Sequence, residues 1–246
     1  MPVITLGIDT AGRSGSVALV DETQVLTSCY VQQAPTLSVH LMRLIDTMCA
    51  QVACQIQDFA GLAVSLGPGG FTSLRVALAT AQGLALGIGK PLVGCTTFEA
   101  LVASTAGWQG MVCPILDARR GEVYAALYHR ENTTMHETVP GMVTTPEALC
   151  TLVTERTLFV GSGVRLYAPF FTARLGAQAI CLERFAEGTL AASVAQLGQA
   201  RLGTSGPPGS TVLKPLYIRA ADARLPRHPP IVAEHASPSE ETAAGG

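Results

Sequence analysis

Two aspartates stand where chemistry could be done. Asp9 closes the apolar run from Val3, and Asp117 closes the run from Met111, each beside a glycine-containing turn. An acid at the end of the first strand of each of two halves is how a two-lobed fold can place Mg²⁺ and phosphate in its cleft. Asp9 with Thr10, Asp117 and the turn Gly161-Ser162-Gly163 could make such a site. The plainer reading is that both acids cap turns, and the residues leave the two open. A further turn, Gly67-Pro68-Gly69-Gly70, runs into a helix, where backbone amides can hold an anion. Gly69, Gly70 and Arg75 would line it, with Arg75 meeting either a phosphate or a carboxylate. The turn is neither a Gly-x-x-x-x-Gly-Lys-Ser/Thr loop, since no lysine follows, nor a Gly-x-Gly-x-x-Gly fingerprint, so packing is its default use.

Other chemistries lack their residues. The histidines are His40, His129, His136, His228 and His235, and none forms His-x-x-x-His: Leu44 stands four after His40. That spacing is what brings two imidazoles on a helix to one metal, so no metal site is expected. No Gly-x-Ser-x-Gly elbow is present. Seven dispersed cysteines without a Cys-x-x-Cys pair fit reduced, mostly buried thiols.

The elements that position these residues centre on the stretch 64–96, which reads as strand, turn, helix and strand, a crossover unit. Thr72 or Ser73 can cap the helix, and Gly87 and Gly89 before Pro91 mark its end. Small residues recur every four positions: Ala77, Ala81 and Ala85 on one stripe, Ala79, Gly83 and Gly87 on another. One face can serve the home sheet and the second wants a partner, unless both are buried in the chain's own core. Gly83 inside a helix costs roughly 1 kcal/mol relative to Ala, which packing that excludes a side chain must offset. Arg75, Thr80, Gln82 and Lys90 leave an apolar run expected to be too short to span a membrane.

Before this unit, Val3–Asp9, Ser16–Val20 and Val25–Tyr30 read as meandering strands. A helix follows from about Ser38 to Val52, with Leu41, Leu44, Ile45, Met48 and Val52 at helical period. With strand Leu92–Cys95 and helix Thr97–Ala103 the order is βββαβαβα. A similar order begins again: strands Met111–Asp117, Glu122–His129 and Thr134–Val139, helix Thr145–Val153, strand Leu158–Val160, helix Leu190–Leu202 and a last segment Leu216–Ile218. These imply a duplicated α/β fold with an N-terminal lobe over 1–106 and a smaller C-terminal lobe over 107–223. The Pro- and Ser-rich residues 224–246 are expected to be a disordered tail.

Composition narrows the function classes. Of the 246 residues 48% are hydrophobic and 14% charged, a surface so poor in charge that part of it should be covered by another chain. Net charge is -2 and the basic residues are scattered, which excludes the basic face that tight nucleic-acid binding needs. The start, MPVITLGIDT, has no basic segment followed by an apolar core, so a cytoplasmic location is expected.

The blocks GIDTAGRSGSVALV, SLGPGGFTSLRVALATAQGLALGIGKPLVGCTTFEAL and PILDARRGEVYAALY, with the helix beginning near His40, resemble the TsaB family, bacterial partners of TsaD in making N6-threonylcarbamoyladenosine (t6A) on tRNA. The resemblance is strong over Ile4–Tyr128 and weaker at Leu216–Arg219. It implies the actin-like, sugar-kinase-like ATPase (ribonuclease H-like) fold with two related lobes. It also implies a non-catalytic scaffold that docks and activates TsaD through a helix bundle, with TsaE joining as the ATPase and tRNA reached only through the complex. On the first helix the bundle would use His40, Leu41, Leu44, Ile45 and Met48. On the second it would use Val76, Ala79, Gly83, Leu86 and Gly87. No cofactor would be held tightly, although ATP or ADP could sit at the joint with TsaD. The family's metal-binding member carries paired histidines, which Leu44 rules out here. Gly70 and Ser73 depart from the family's usual Ser and Gly, which weakens any anion site at that turn. Three alternatives stand: an ATP-dependent transferase or phosphatase using Asp9 and Asp117, a glycoprotease-like metallopeptidase, and a homodimer built on the same helices.

Overall fold

The structure, a computed structural model, describes residues 3–32, 34–183, 190–203 and 213–219; the tail expectation for 224–246 lies outside these. One sheet holds β1 (Ile4–Asp9), β2 (Gly15–Val20), β3 (Val25–Val31), β4 (Phe59–Ser65) and β5 (Leu92–Cys95), with helices α1 (Ala34–Gln51), α2 (Phe71–Ile88) and α3 (Thr97–Ala103) between or after its strands. A second holds β6 (Gly110–Arg119), β7 (Glu122–Glu131), β8 (Thr134–Thr144), β9 (Thr157–Val160) and β10 (Ala179–Cys181), with α4 (Pro146–Leu152) and α5 (Val164–Leu175); α6 (Leu190–Leu202) follows.

The strand order is β3-β2-β1-β4-β5 in the first sheet and β8-β7-β6-β9-β10 in the second. In each, three antiparallel neighbours are followed by two strands parallel to the first. Two copies of one topology confirm the duplication read from the acid-ended strands, and they define the actin-like, ribonuclease H-like fold. Two elements escape the sequence reading. α5 carries Pro169 in its interior, which obscures the spacing of its buried Val164, Ala168 and Phe171. β10 has three residues, too few for an alternating pattern to register.

Strand period places the core. Leu6 and Ile8 of β1, Val17 and Leu19 of β2, and Leu62 and Val64 of β4 point one way, onto Leu41, Ile45 and Met48 of α1 and Ala77, Leu78, Ala81 and Ala85 of α2. Gly7 points the other way and lies in register with Ala18 on one side and Ala63 on the other. Three small residues across three strands form a shallow trough, and α6 lies in it through Ala191 and Ala195. A Cβ on Gly7 would stand 2.1 Å from the Ala191 carbonyl oxygen, so only glycine admits this approach. The Ser16 hydroxyl accepts the Ala191 N–H at 3.1 Å and sets the helix's register. Leu190–Leu202 is therefore a helix, as its sequence indicates, but the first sheet receives it, not the second half that precedes it in the chain.

α2 also corrects two expectations. Its N-cap is Gly70, with no side-chain cap, because the Ser73 hydroxyl is turned to the Thr10 and Gly70 carbonyls at 2.9 and 3.1 Å. Gly89, at φ +66°, ends the helix. Its 18 residues with mean hydropathy 1.3 are long and apolar enough to cross a membrane by length and composition, so the run is not too short; one face nonetheless packs on its own sheet. Among the cysteines, Cys49, Cys95, Cys113 and Cys150 are buried and all seven are free. Burial pushes the Cys95 thiol up to about 12, which keeps it protonated and inert.

Candidate functional site

The acids at the two strand ends do the same local work. Asp9 Oδ1 accepts the Ala11 N–H at 3.4 Å and Asp117 Oδ1 accepts the Arg119 N–H at 2.7 Å, each two residues on. The second bond closes a hairpin whose two-residue turn, Arg120-Gly121, has φ +57° and +78°, the primed geometry that suits twisted strands. Asp117→Asn keeps this acceptor and is expected to change stability by less than about 0.5 kcal/mol. Urea denaturation checks this, and a turn-capping role is refuted by a much larger loss.

Between the lobes a cleft is lined by Asp9, Gly12, Ser14, Thr97, Leu101, Leu116, Ser162 and Leu190. Its volume is about 20 Å³, room for about one water, whereas a nucleotide needs on the order of 300 Å³ or more. Of the nine residues offered for a phosphate site, Asp9 and Ser162 line it. Thr10 is fully buried and its hydroxyl donates to the Ser73 carbonyl at 3.0 Å. The Gly70 N–H donates to the Ala11 carbonyl at 2.8 Å, and Ala11 backbone occupies the space a Cβ on Gly69 would need. The glycine-rich turn is thus consumed in holding the β1–β2 loop against α2. Asp117 and Arg75 do not line the cleft, so the structure does not bring the nine residues into one site, and a nucleotide does not fit the cleft as it stands.

The metal expectation meets the same kind of test. His40 is exposed on α1, with Leu44 one turn on, half-buried against the core. Among the described residues no group of three or more His, Cys, Asp or Glu could hold an ion. A metal of the paired-histidine kind does not fit these residues.

The partner-binding residues divide. Leu41, Ile45 and Met48 are at most 3% exposed and pack on the chain's own sheet, so they build the core that seats α1 and offer no docking surface. The helical period identified them correctly as apolar face, but an apolar face first serves the nearest sheet. On α2 the outcome is the opposite. Val76, Ala79, Gly83, Leu86 and Gly87 are all exposed, Leu86 at 72%, and among the described residues a Cβ on Gly83 or Gly87 would meet nothing within 4 Å. Exposed Val39 (79%) and Met42 on α1 were missed, because they lie off the stripe that the core uses.

At the start of α2 a strap formed by residues 213–219 lies across the helix. The Leu216 N–H donates to the Leu66 carbonyl at 2.7 Å, and the Gln82 amide donates to the Leu213 carbonyl at 3.2 Å. Tyr217 stacks on Phe71 with ring centroids 4.8 Å apart. The Arg75 guanidinium lies 3.8 Å over the Phe71 ring and donates through Nε to the Tyr217 hydroxyl at 2.7 Å. Arg219 continues the strap to the second sheet, donating to the Ala118 carbonyl at 2.9 Å and pairing with Glu122. A cavity of about 390 Å³ opens beneath the strap, bounded by Arg75, Leu78, Ala79, Gln82, Lys214 and Tyr217. Sequence spacing could not show this pocket, since its two walls lie some 140 residues apart.

These features define the class: a two-lobed actin-like chain with a closed cleft and an apolar helix face left open. The chain belongs to the family described as TsaD, tRNA N6-adenosine threonylcarbamoyltransferase, whose family model matches residues 32–224. The TsaB resemblance also holds. The chain is 30% identical over 135 residues to the tRNA threonylcarbamoyladenosine biosynthesis protein TsaB of Bacillus subtilis, covering 55% of this chain and 59% of the relative. It is 33% identical over 146 residues to TsaB of Escherichia coli, covering 58% and 62%. The chain thus spans about six tenths of these relatives' length. Among solved structures, a Pseudomonas aeruginosa protein described as similar to peptidase YeaZ superposes with a TM-score of 0.69 at 22% identity, over 88% of this chain and 99% of that one, which shows a shared fold.

Proposed function

We propose that this chain is a non-catalytic subunit of t6A synthesis that docks a TsaD-type transferase through α2 and holds it in its active form. One observation carries the reading. Gly83 sits inside a helix at a cost of roughly 1 kcal/mol, and nothing among the described residues makes use of the missing side chain. A partner helix lying close against Ala79, Gly83 and Gly87 supplies the reason, and Val76 and Leu86 supply apolar area at its edges. The narrow cleft, and the lack among the described residues of a group that could hold a metal, support placing the transfer on the partner. Chemistry accordingly rests with the transferase, TsaE supplies ATP hydrolysis, and tRNA is met in the cytoplasm through the assembled complex. Any ATP or ADP at the joint would be held jointly with the transferase.

The test is reconstitution. A purified TsaD-type transferase from the same cell, given threonylcarbamoyl adenylate and tRNA, is expected to form t6A at least about tenfold faster with this chain present, a difference of about 1.4 kcal/mol in barrier. Equal rates with and without the chain refute the reading.

A further inference from the structure

Among the described residues, the cavity beneath the strap is lined by two cations and no acid. Arg75 is held by two aromatic residues: Phe71 lies under the guanidinium, and Tyr217 flanks it and takes its Nε–H at the hydroxyl. Its two terminal nitrogens make no hydrogen bond or ion pair among the described residues, and Arg75 lines a cavity of about 390 Å³. Lys214 lines the same cavity and, among the described residues, no acid does. The exposed residues of α2 repeat this bias: Arg75 toward one end, apolar and small residues between, Lys90 just past the other, and no Asp or Glu anywhere from Phe71 to Lys90. A guanidinium laid on the Phe71 ring and held through Nε by Tyr217, with its terminal nitrogens unbonded among the described residues, is pre-organised for a bidentate carboxylate.

We propose that the cavity between α2 and the strap receives an acidic side chain, Asp or Glu, of the protein that docks on α2, with Arg75 as the bidentate partner and Lys214 as the second cation. The inference rests on the docking reading above and adds what the partner must carry: an apolar surface with a carboxylate beside it. Charge complementarity selects this occupant over a second copy of the chain. Across a two-fold axis, antiparallel α2 helices bring Arg75 near Lys90 of the other copy, and parallel ones bring Arg75 near Arg75. Cation meets cation in either arrangement. Tyr217 and Phe71 are positioning residues here, since they orient the guanidinium and touch no partner charge themselves.

The experiment measures the dissociation constant for the TsaD-type transferase with the wild-type chain, Arg75→Gln, Arg75→Lys and Tyr217→Phe, at low and high salt. Wild-type affinity is expected to fall several-fold between about 0.05 and 0.5 M salt. Arg75→Gln is expected to weaken binding roughly tenfold to a hundredfold and to flatten that salt dependence, with Arg75→Lys between the two. Tyr217→Phe, which keeps the stack and removes the hydroxyl, is expected to weaken it by a smaller factor. A wild-type complex whose affinity and salt dependence survive Arg75→Gln overturns the acidic-partner proposal and leaves the docking reading intact. No complex with the wild-type chain overturns the docking reading and this proposal with it. Saturable binding of Mg-ATP to the isolated chain that Arg75→Gln abolishes also overturns it, because the guanidinium then serves a phosphate.

Discussion

Replacing Gly83 with leucine is expected to weaken association with the TsaD-type transferase about a hundredfold, near 3 kcal/mol, while the chain itself becomes more stable by about 0.5–1 kcal/mol. The two effects come from opposite sides of one substitution. Among the described residues nothing lies within 4 Å of the first carbon of a side chain at position 83, so helix propensity decides its effect on stability. At the interface the same side chain occupies the volume through which a second helix backbone must pass, and overpacking there has no rotamer that relieves it. A urea titration and a binding isotherm on the same preparation separate them. Unchanged affinity in the stabilised variant removes the case for α2, whereas a misfolded variant contradicts the geometry of the helix itself.

Replacing Gly7 with valine is expected to do the reverse: a loss of stability on the order of 3 kcal/mol or more. The midpoint of thermal unfolding should fall by about 6–12 °C. Here the intruding atoms meet a backbone carbonyl of α6 at 2.1 Å and Ala195 at 2.7 Å, groups that cannot swing aside. The trough of Gly7, Ala18 and Ala63 would cease to admit α6, and the cluster of Ala18, Val20, Ala191 and Ala195 would come apart. Calorimetry on Gly7→Val, with Gly87→Ala as the control at an open glycine, is the comparison; equal midpoints would mean that α6 is not held in this trough.

Much of the fold was legible because periodicity is a local property. Strands β1, β2, β4 and β5, both hairpin-rich halves and the two long helices follow from alternating or helical spacing, and the repeat of an acid-ended first strand announces the duplication. The candidate site was less legible. Leu41, Ile45 and Met48 share the apolar spacing of a docking face, yet they went to the core, because the sheet beside them buries the same kind of surface that a partner would. Asp9 and Asp117 match a two-lobed metal and phosphate pattern, yet each is engaged at its own turn, and the cleft that Asp9 lines admits about one water. Lys214 and Tyr217 are distant in sequence from Arg75 and carried no spacing signal toward it.

By itself the sequence determined the elements, their order, the doubling of the topology and the small-residue stripes of α2, since each is written in the spacing of residue types along a few turns or strands. Only the tertiary structure decided which stripe the chain uses and which it leaves open, where α6 returns, and that Arg75 is presented under a strap contributed from far along the chain. Those outcomes depend on how much apolar surface each neighbour can cover and on contacts between distant segments, quantities that exist only once the layers are packed.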